Sequence, residues 1–284
     1  MLGRLTAALL VGAGALCVPA PATAADALPR VSISVKGEIS DARKKTGRMV
    51  VRDGGRMFYR GRIGIERRGQ SSQRFPKKSW SVELRDRNGD NRDVALLGMP
   101  ADDDWVLYAP YNDKALVRNV VAYATARRMG RYAARTRFVE VWHYGRYHGV
   151  YVLMEKPKVQ RDRIDLAEPA QLLEWTFRYQ ARQKGRYFRL PVSGYHNLFE
   201  DPERKDLPRK RRALVRRSIG AAERAVYRGG WRRHLDAGAA VDYVLVNELF
   251  KNRPCGGRRT RRRCGRCAPG CSSGSCGWTA TCTS

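Results

Sequence analysis

The chain has 284 residues, 43% of them hydrophobic, which is enough for one large domain or two modest ones around a sizeable core and sets aside a disordered chain. Its formal net charge is +29, from 56 Lys plus Arg against 27 Asp plus Glu, so a polyanion such as nucleic acid, an anionic wall polymer or a nucleotide phosphate is a natural partner class. Arginine-rich composition is also what a GC-rich genome imposes, and a dedicated nucleic-acid surface would interleave its cations with aromatics.

The first 24 residues read as an export signal: Arg4 supplies the positive charge, Leu5 to Val18 an apolar run, and Ala22-Thr23-Ala24 a small-residue cleavage site. The mature chain is expected to begin near Ala25, secreted or in the cell envelope. The apolar run is short for a bilayer span, and no later stretch approaches ~18 uninterrupted apolar residues. A lipid-modified terminus at Cys17 is disfavoured by Leu16, a bulky residue where a small one is needed.

Val31 to Val35 alternates as VSISV and predicts a strand. "MVVRDGG" and "RMFYRGRIGIERRG" read as two strands around a Gly-Gly turn, and "KKSWSVELRDRNGD" as a third, with Trp80, Val82 and Leu84 on one face. At Asp113 the period becomes helical, with Asp113 as N-cap and Gly130 as stop. "RFVEVWHYGRYHGVYVLMEK" predicts a hairpin around Tyr144-Gly145-Arg146. A helix over Ala170 to Arg182, a basic stretch "RKDLPRKRRALVRRS" and an apolar helix "AVDYVLVNELF" follow. The basic stretch, almost free of aromatics, suits a solvated helix face or a docking face for an acidic partner better than a base-stacking platform.

Several residue groups carry chemistry. In "RRGQSS", Gly69 lets backbone approach a ligand, Arg68 can grip a phosphate with both arms of its guanidinium, and Ser71 and Ser72 add hydroxyl and amide donors. The plain alternative is a polar turn between strands. Lys78 follows at a strand start, where an extended lysine reaches phosphates as a point charge; Lys77 competes, and alternation allows only one of them to face a cleft. Lys78 is preferred because Trp80 and Val82 continue its face. Asp102, Asp103 and Asp104 are consecutive, so they cannot all converge on one ion in a regular element, and they read as a solvated acidic turn beside a core-anchored Trp105. The histidines, His143, His148, His196 and His234, lack metal spacing, and no G-x-S-x-G elbow supports a serine hydrolase.

The blocks "RRGQSSQRFPKKSWSVEL", "LLGMPADDDWVLYAPYNDKALVRNVVAYATARRMG" and "RFVEVWHYGRYHGVYVLMEKPKVQRDRIDL", in that order, resemble the CotH kinase family, the spore-coat-type secreted proteins related to atypical protein kinases. The resemblance runs from Val31 to Asn252. It implies an α+β, atypical protein-kinase-like fold, with a sheet-rich N-terminal part followed by a helical C-terminal part, over residues 25–252. It further implies transfer of the ATP γ-phosphate to Ser or Thr of an exported protein, with Mg2+ or Mn2+ as cofactor. On that comparison Arg68, Gly69, Ser71, Ser72 and Lys78 contact the phosphates, and Glu155 and Lys156 form a hinge whose backbone meets the adenine. Asn112, Asp113, Arg118 and Asn119 supply polar support at the first helix, where an interior Arg118 would need a charged partner. Asn252 is a remnant of a metal-proximal loop. The rival class is a non-catalytic coat or envelope assembly protein that binds acidic partners such as wall or coat polymers.

The family pattern calls for a catalytic Asp soon after "NELFKN" and a further metal-binding acidic segment. Instead, residues 253–284 hold seven Arg, six Cys, no Asp or Glu, and Trp278 as their single large apolar side chain. A zinc site built on Cys264-x2-Cys267 with Cys271 and Cys276, a disulfide knot in an exported chain, and a shifted reading frame are the three readings of this stretch. Loss of hydrophobic periodicity where the resemblance stops favours the shifted frame, and with it a chain inactive as written.

Overall fold

The computed structural model describes residues 27–69, 71–176, 187–251 and 280–281. Seven strands close into a barrel: β1 (Arg30–Ser34), β2 (Lys45–Asp53), β3 (Arg56–Arg68), β4 (Ser79–Arg85), β5 (Asp104–Tyr108), β6 (Thr136–His143) and β7 (Arg146–Glu155), in the order β1-β2-β3-β4-β5-β7-β6. Every pairing is antiparallel except the closure, where β1 runs parallel to β6 with Val31 opposite Val141. Closure removes the exposed edges that an open sheet would leave at β1 and β6.

Strand alternation sets what fills the barrel. Trp80, Val82 and Leu84 of β4 point inward and meet Ile63, Ile65, Trp105, Leu107, Tyr151 and Leu153, all buried in one continuous core. Trp80 stacks on Tyr151 with ring centroids 5.4 Å apart. The β2–β3 hairpin turns at Gly54-Gly55 and the β6–β7 hairpin at Tyr144-Gly145, where φ values of 47° and 75° give the double left-handed turn that matches strand twist.

Between β5 and β6 lies α1 (Arg118–Arg128), whose Tyr123 packs with Val106, Ala134 and Met154 on the outer face of β5 and β7. The helix begins five residues after the predicted cap. Asp113 nonetheless serves it, accepting from the amides of Arg118 (2.7 Å) and Ala115 (3.2 Å) from a turn that precedes the helix.

Beyond the barrel a second sheet runs β11-β8-β10-β9, from β8 (Leu172–Thr176), β9 (Tyr187–Arg189), β10 (His196–Asp201) and β11 (Ala280–Thr281). The helix expected over Ala170 to Arg182 is thus corrected: residues 172–176 are a strand, because Leu172 and Leu173 pair with β10 and bury against it, and the rest of that expectation falls mainly on residues 177–186, outside the described ones. The C-terminal part is accordingly mixed sheet and helix. The amphipathic helix α2 (Arg209–Arg228) lays Val215 and Ile219 on Phe188, Leu190 and Phe199 of this sheet. The last helix, α3 (Ala237–Leu249), is capped by Asp236 and docks on α1 through Val246 and Phe250. Among the described residues no helix is long and apolar enough to cross a membrane.

Candidate functional site

The loop between β3 and β4 is built around Gly69. Its φ of +107° is left-handed, and a Cβ there would meet the Ser72 hydroxyl oxygen at 2.1 Å, so glycine alone fits. A 3-10 turn follows over Ser71–Arg74. The loop then closes on itself: the Gln73 side chain donates to the Gly69 carbonyl (2.6 Å), and the Lys78 ammonium donates to the Gln73 carbonyl (2.5 Å). Phe75 stacks on Tyr111 at 5.2 Å, which ties the loop to the segment leading into α1. The Ser79 hydroxyl accepts from the Ala109 amide (2.9 Å), a second tie to the same segment.

Within this arrangement Arg68 ends β3 half-buried opposite Ser79, and Gly69, Ser72 and Lys78 share the loop with Ser71. The alternation argument for Lys78 needs a physical correction. The Trp80 and Val82 face is the filled barrel interior, and Lys78 stands one residue before the strand, so the loop rather than the pleat directs its side chain. Lys77 goes elsewhere, its ammonium 2.5 Å from the Val150 carbonyl and 4.5 Å from the Tyr151 ring centre, where burial lowers its pKa. Asn112 and Arg118 are exposed, so the interior Arg118 expected from the sequence is corrected, while Asp113 is buried at the α1 start and Asn119 is half-buried one residue into the helix. Asn252 lies outside the described residues.

Glu155 and Lys156 lie at the other end of β5 and β7. Glu155 is fully buried, and its carboxylate accepts from the Arg135 amide (2.7 Å) and guanidinium (2.8 Å). Its own amide donates to the Arg135 carbonyl (3.2 Å), and the Lys156 carbonyl accepts from Arg163. Glu155 pairs with Trp105, whereas the loop end of β5 is at Tyr108, three residues away or roughly 10 Å along the strand.

The sequence reading missed a charged hub beside this connection. Asp102, Asp103 and Asp104 are buried rather than solvated, which corrects the acidic-turn expectation, although Trp105 is fully buried as foreseen. Lys158 reaches all three carboxylates, at 3.1, 2.6 and 3.1 Å, and Lys156 reaches Asp104 at 3.1 Å. Arg163 donates to the Asp104 carbonyl (3.1 Å) and faces the Trp105 ring. Lys44 pairs with Glu83. Burial pushes Asp104 up, but Lys156, Lys158 and Lys44 outweigh it and hold the carboxyl at about 2. Burial wins at Asp103, whose pKa is raised and whose second carboxylate oxygen has no partner. The signal was readable as complementarity: three acids before one strand and Lys-x-Lys at the end of its neighbour.

Two acidic groups have the spacing of a metal cage, Glu83 with Asp103 and Asp104, and Asp93 with Asp102 and Asp103. Both include Asp103, and the Lys158 ammonium already pairs with two of the three carboxylates in each, Asp103 and Asp104 in the first and Asp102 and Asp103 in the second. These residues therefore do not fit a magnesium site.

A model of the CotH kinase protein family matches residues 65–253, well over half of the chain. The chain belongs to the CotH kinase family. No curated protein matches it. Within this family match lie the Gly69 loop, α1, the β6–β7 hairpin and the Asp102–Asp104 hub, whereas β1, β2 and most of β3 precede it.

Proposed function

We propose that this CotH-family chain is an exported nucleotide-binding protein of the atypical protein-kinase lineage. In this reading Arg68, Gly69, Ser71, Ser72 and Lys78 take the ATP phosphates and the Glu155-Lys156 connection takes the adenine end. The lineage activity is transfer of the γ-phosphate, with a divalent metal, to Ser or Thr of a secreted or coat protein. The observation that carries the proposal is the family match over residues 65–253, which contains every proposed nucleotide contact. Phosphoryl transfer is mostly positioning and electrostatics, and a loop held by its own side-chain bonds and by Tyr111 suits that positioning. To meet a phosphate, Lys78 exchanges its bond to the Gln73 carbonyl for a charged one.

Transfer also needs carboxylates to hold the metal and orient the acceptor, and residues 253–284 contribute none. The expectation is magnesium-dependent ATP binding with little or no turnover. The test is titration of the mature chain with a fluorescent ATP analogue, with and without magnesium, alongside transfer of labelled phosphate to protein. Lys78→Ala should weaken binding at least tenfold while leaving the unfolding temperature nearly unchanged. Binding that ignores both magnesium and Lys78 would overturn the proposal. It would favour the second reading, a non-catalytic coat or envelope assembly protein, which the carboxylate-free stretch and the +29 charge support.

A further inference from the structure

The register of the barrel places arginines side by side on its outer face, on β2, β3 and β4, of which β2 and most of β3 precede the family match. Arg48 of β2 lies directly opposite Arg62 of β3, and Arg62 lies directly opposite Arg85 of β4, so three guanidinium-bearing positions form one row across three strands about 4.8 Å apart. Arg60 is two residues from Arg62 on the same face, and Arg52 extends the patch along β2 opposite Arg30 of β1. Arg48, Arg52, Arg60 and Arg62 are all exposed.

Little neutralises them. Glu83 binds Arg85, Arg62 donates to the Arg87 carbonyl, and among the described residues Arg48, Arg52, Arg60 and Arg62 pair with no carboxylate. Glu66 of β3 and Glu83 of β4 share this outer face, but Glu83 is taken up by Lys44 and Arg85, and the buried acids at the start of β5 are matched by lysines and Arg163. Like charges directly opposite each other on a sheet are destabilising, so this placement works against the apo fold and favours a bound anion.

We propose that the outer face of β2, β3 and β4 binds a linear polymer that carries phosphates along its backbone, such as a polyphosphate or a phosphodiester wall polymer. Paired guanidiniums suit phosphate oxygens, and same-face residues two apart on a strand recur about every 6.8 Å, a spacing that can follow successive charges of a chain. The outer face of the patch carries Val50 and Met57, while Phe58 and Tyr59 of β3 pack against the barrel core, so it lacks the apolar centre of a protein interface and the stacking platform for bases. This site is separate from the proposed nucleotide loop.

The experiment measures binding of fluorescently labelled linear inorganic polyphosphate to the mature chain over a salt series. Arg48→Ser with Arg62→Ser is compared with Arg217→Ser plus Arg224→Ser on α2, an equal loss of charge elsewhere. The barrel variant should lose roughly tenfold in affinity and shed about 1.4 from the logarithmic salt slope, while the α2 variant changes little. Polyphosphate should raise the unfolding temperature of the wild type more than that of the barrel variant, which without polymer should be at least as stable as wild type. Equal losses from both variants would mean binding by net charge alone and overturn the proposal. So would a barrel variant that is much less stable than wild type, or poly-glutamate binding as tightly as polyphosphate, which would point to an acidic protein instead. ATP-analogue binding, unchanged in the barrel variant, keeps this outcome distinct from that of the nucleotide site.

Discussion

The barrel and the last helix solve the same problem, where to put charge and apolar surface, in opposite ways. In the barrel, apolar side chains turn inward and a group of buried acids is matched by Lys44, Lys156, Lys158 and Arg163. On α3, Val241, Val244, Leu245 and Leu249 are 55 to 67% exposed along one face, while Val246 packs inward against α1. Burial makes each barrel contact expensive to remove, and exposure makes each outward α3 side chain cheap to remove. That contrast is measurable.

The largest expected effect is Lys158→Met. It strips the cation that, among the described residues, touches Asp102, Asp103 and Asp104 together, and a buried carboxylate left without its partner costs about 3–5 kcal/mol. Chemical denaturation should show a loss of that order; a loss below about 1 kcal/mol would mean that water, not Lys158, neutralises the hub. Next is Asp104→Asn, at about 2 kcal/mol from the difference between 3.8 and about 2 in its pKa. Because folding lowers that pKa, the contribution is complete above 3.8 and disappears as pH falls toward 2. Asp103, raised by burial, acts in the opposite sense as it takes up a proton. Wild type should therefore lose more stability than Asp104→Asn on acidification through this window, as read by unfolding midpoints at each pH. A third, smaller step is Asp113→Ala, which removes the acceptor for two amides at the start of α1 and should cost about 1 kcal/mol.

Most strands of the barrel were legible because they announce themselves locally. VSISV, SWSVEL and the hairpin around Tyr144-Gly145 alternate cleanly between turn residues, and alternation is a property of adjacent positions. What closes the barrel was not legible, since the parallel contact of β1 with β6 joins residues more than a hundred positions apart and leaves no periodic mark. The same distance hid the hub: Asp102–Asp104 look solvated until β5 and β7 are paired and Lys158 arrives beside them. Leu172-Leu173 failed for another reason, because a short apolar run fits helix and strand equally and only pairing with β10 decides it. At the candidate site, Gly69 was readable from its neighbours, whereas the direction of the Lys78 side chain was not, because a loop rather than a strand sets it.

The smallest expected effect tests the other side of the contrast. Val244 and Leu245 each keep more than half of their surface in water, and α3 holds to α1 through Val246, Phe250 and the bonds of Arg131 to Asp236 and Asp242. Replacing both with lysine removes no buried contact, and lysine is as good a helix former as either. The double variant should therefore unfold within about 0.5 kcal/mol of wild type, the range of surface substitutions. It should also stay monodisperse at concentrations where wild type begins to associate, because a contiguous apolar face is an aggregation surface. Light scattering and denaturation on the same samples separate the two quantities. A loss of about 2 kcal/mol or more would show that this face is covered in solution, and α3 would then belong energetically with the barrel.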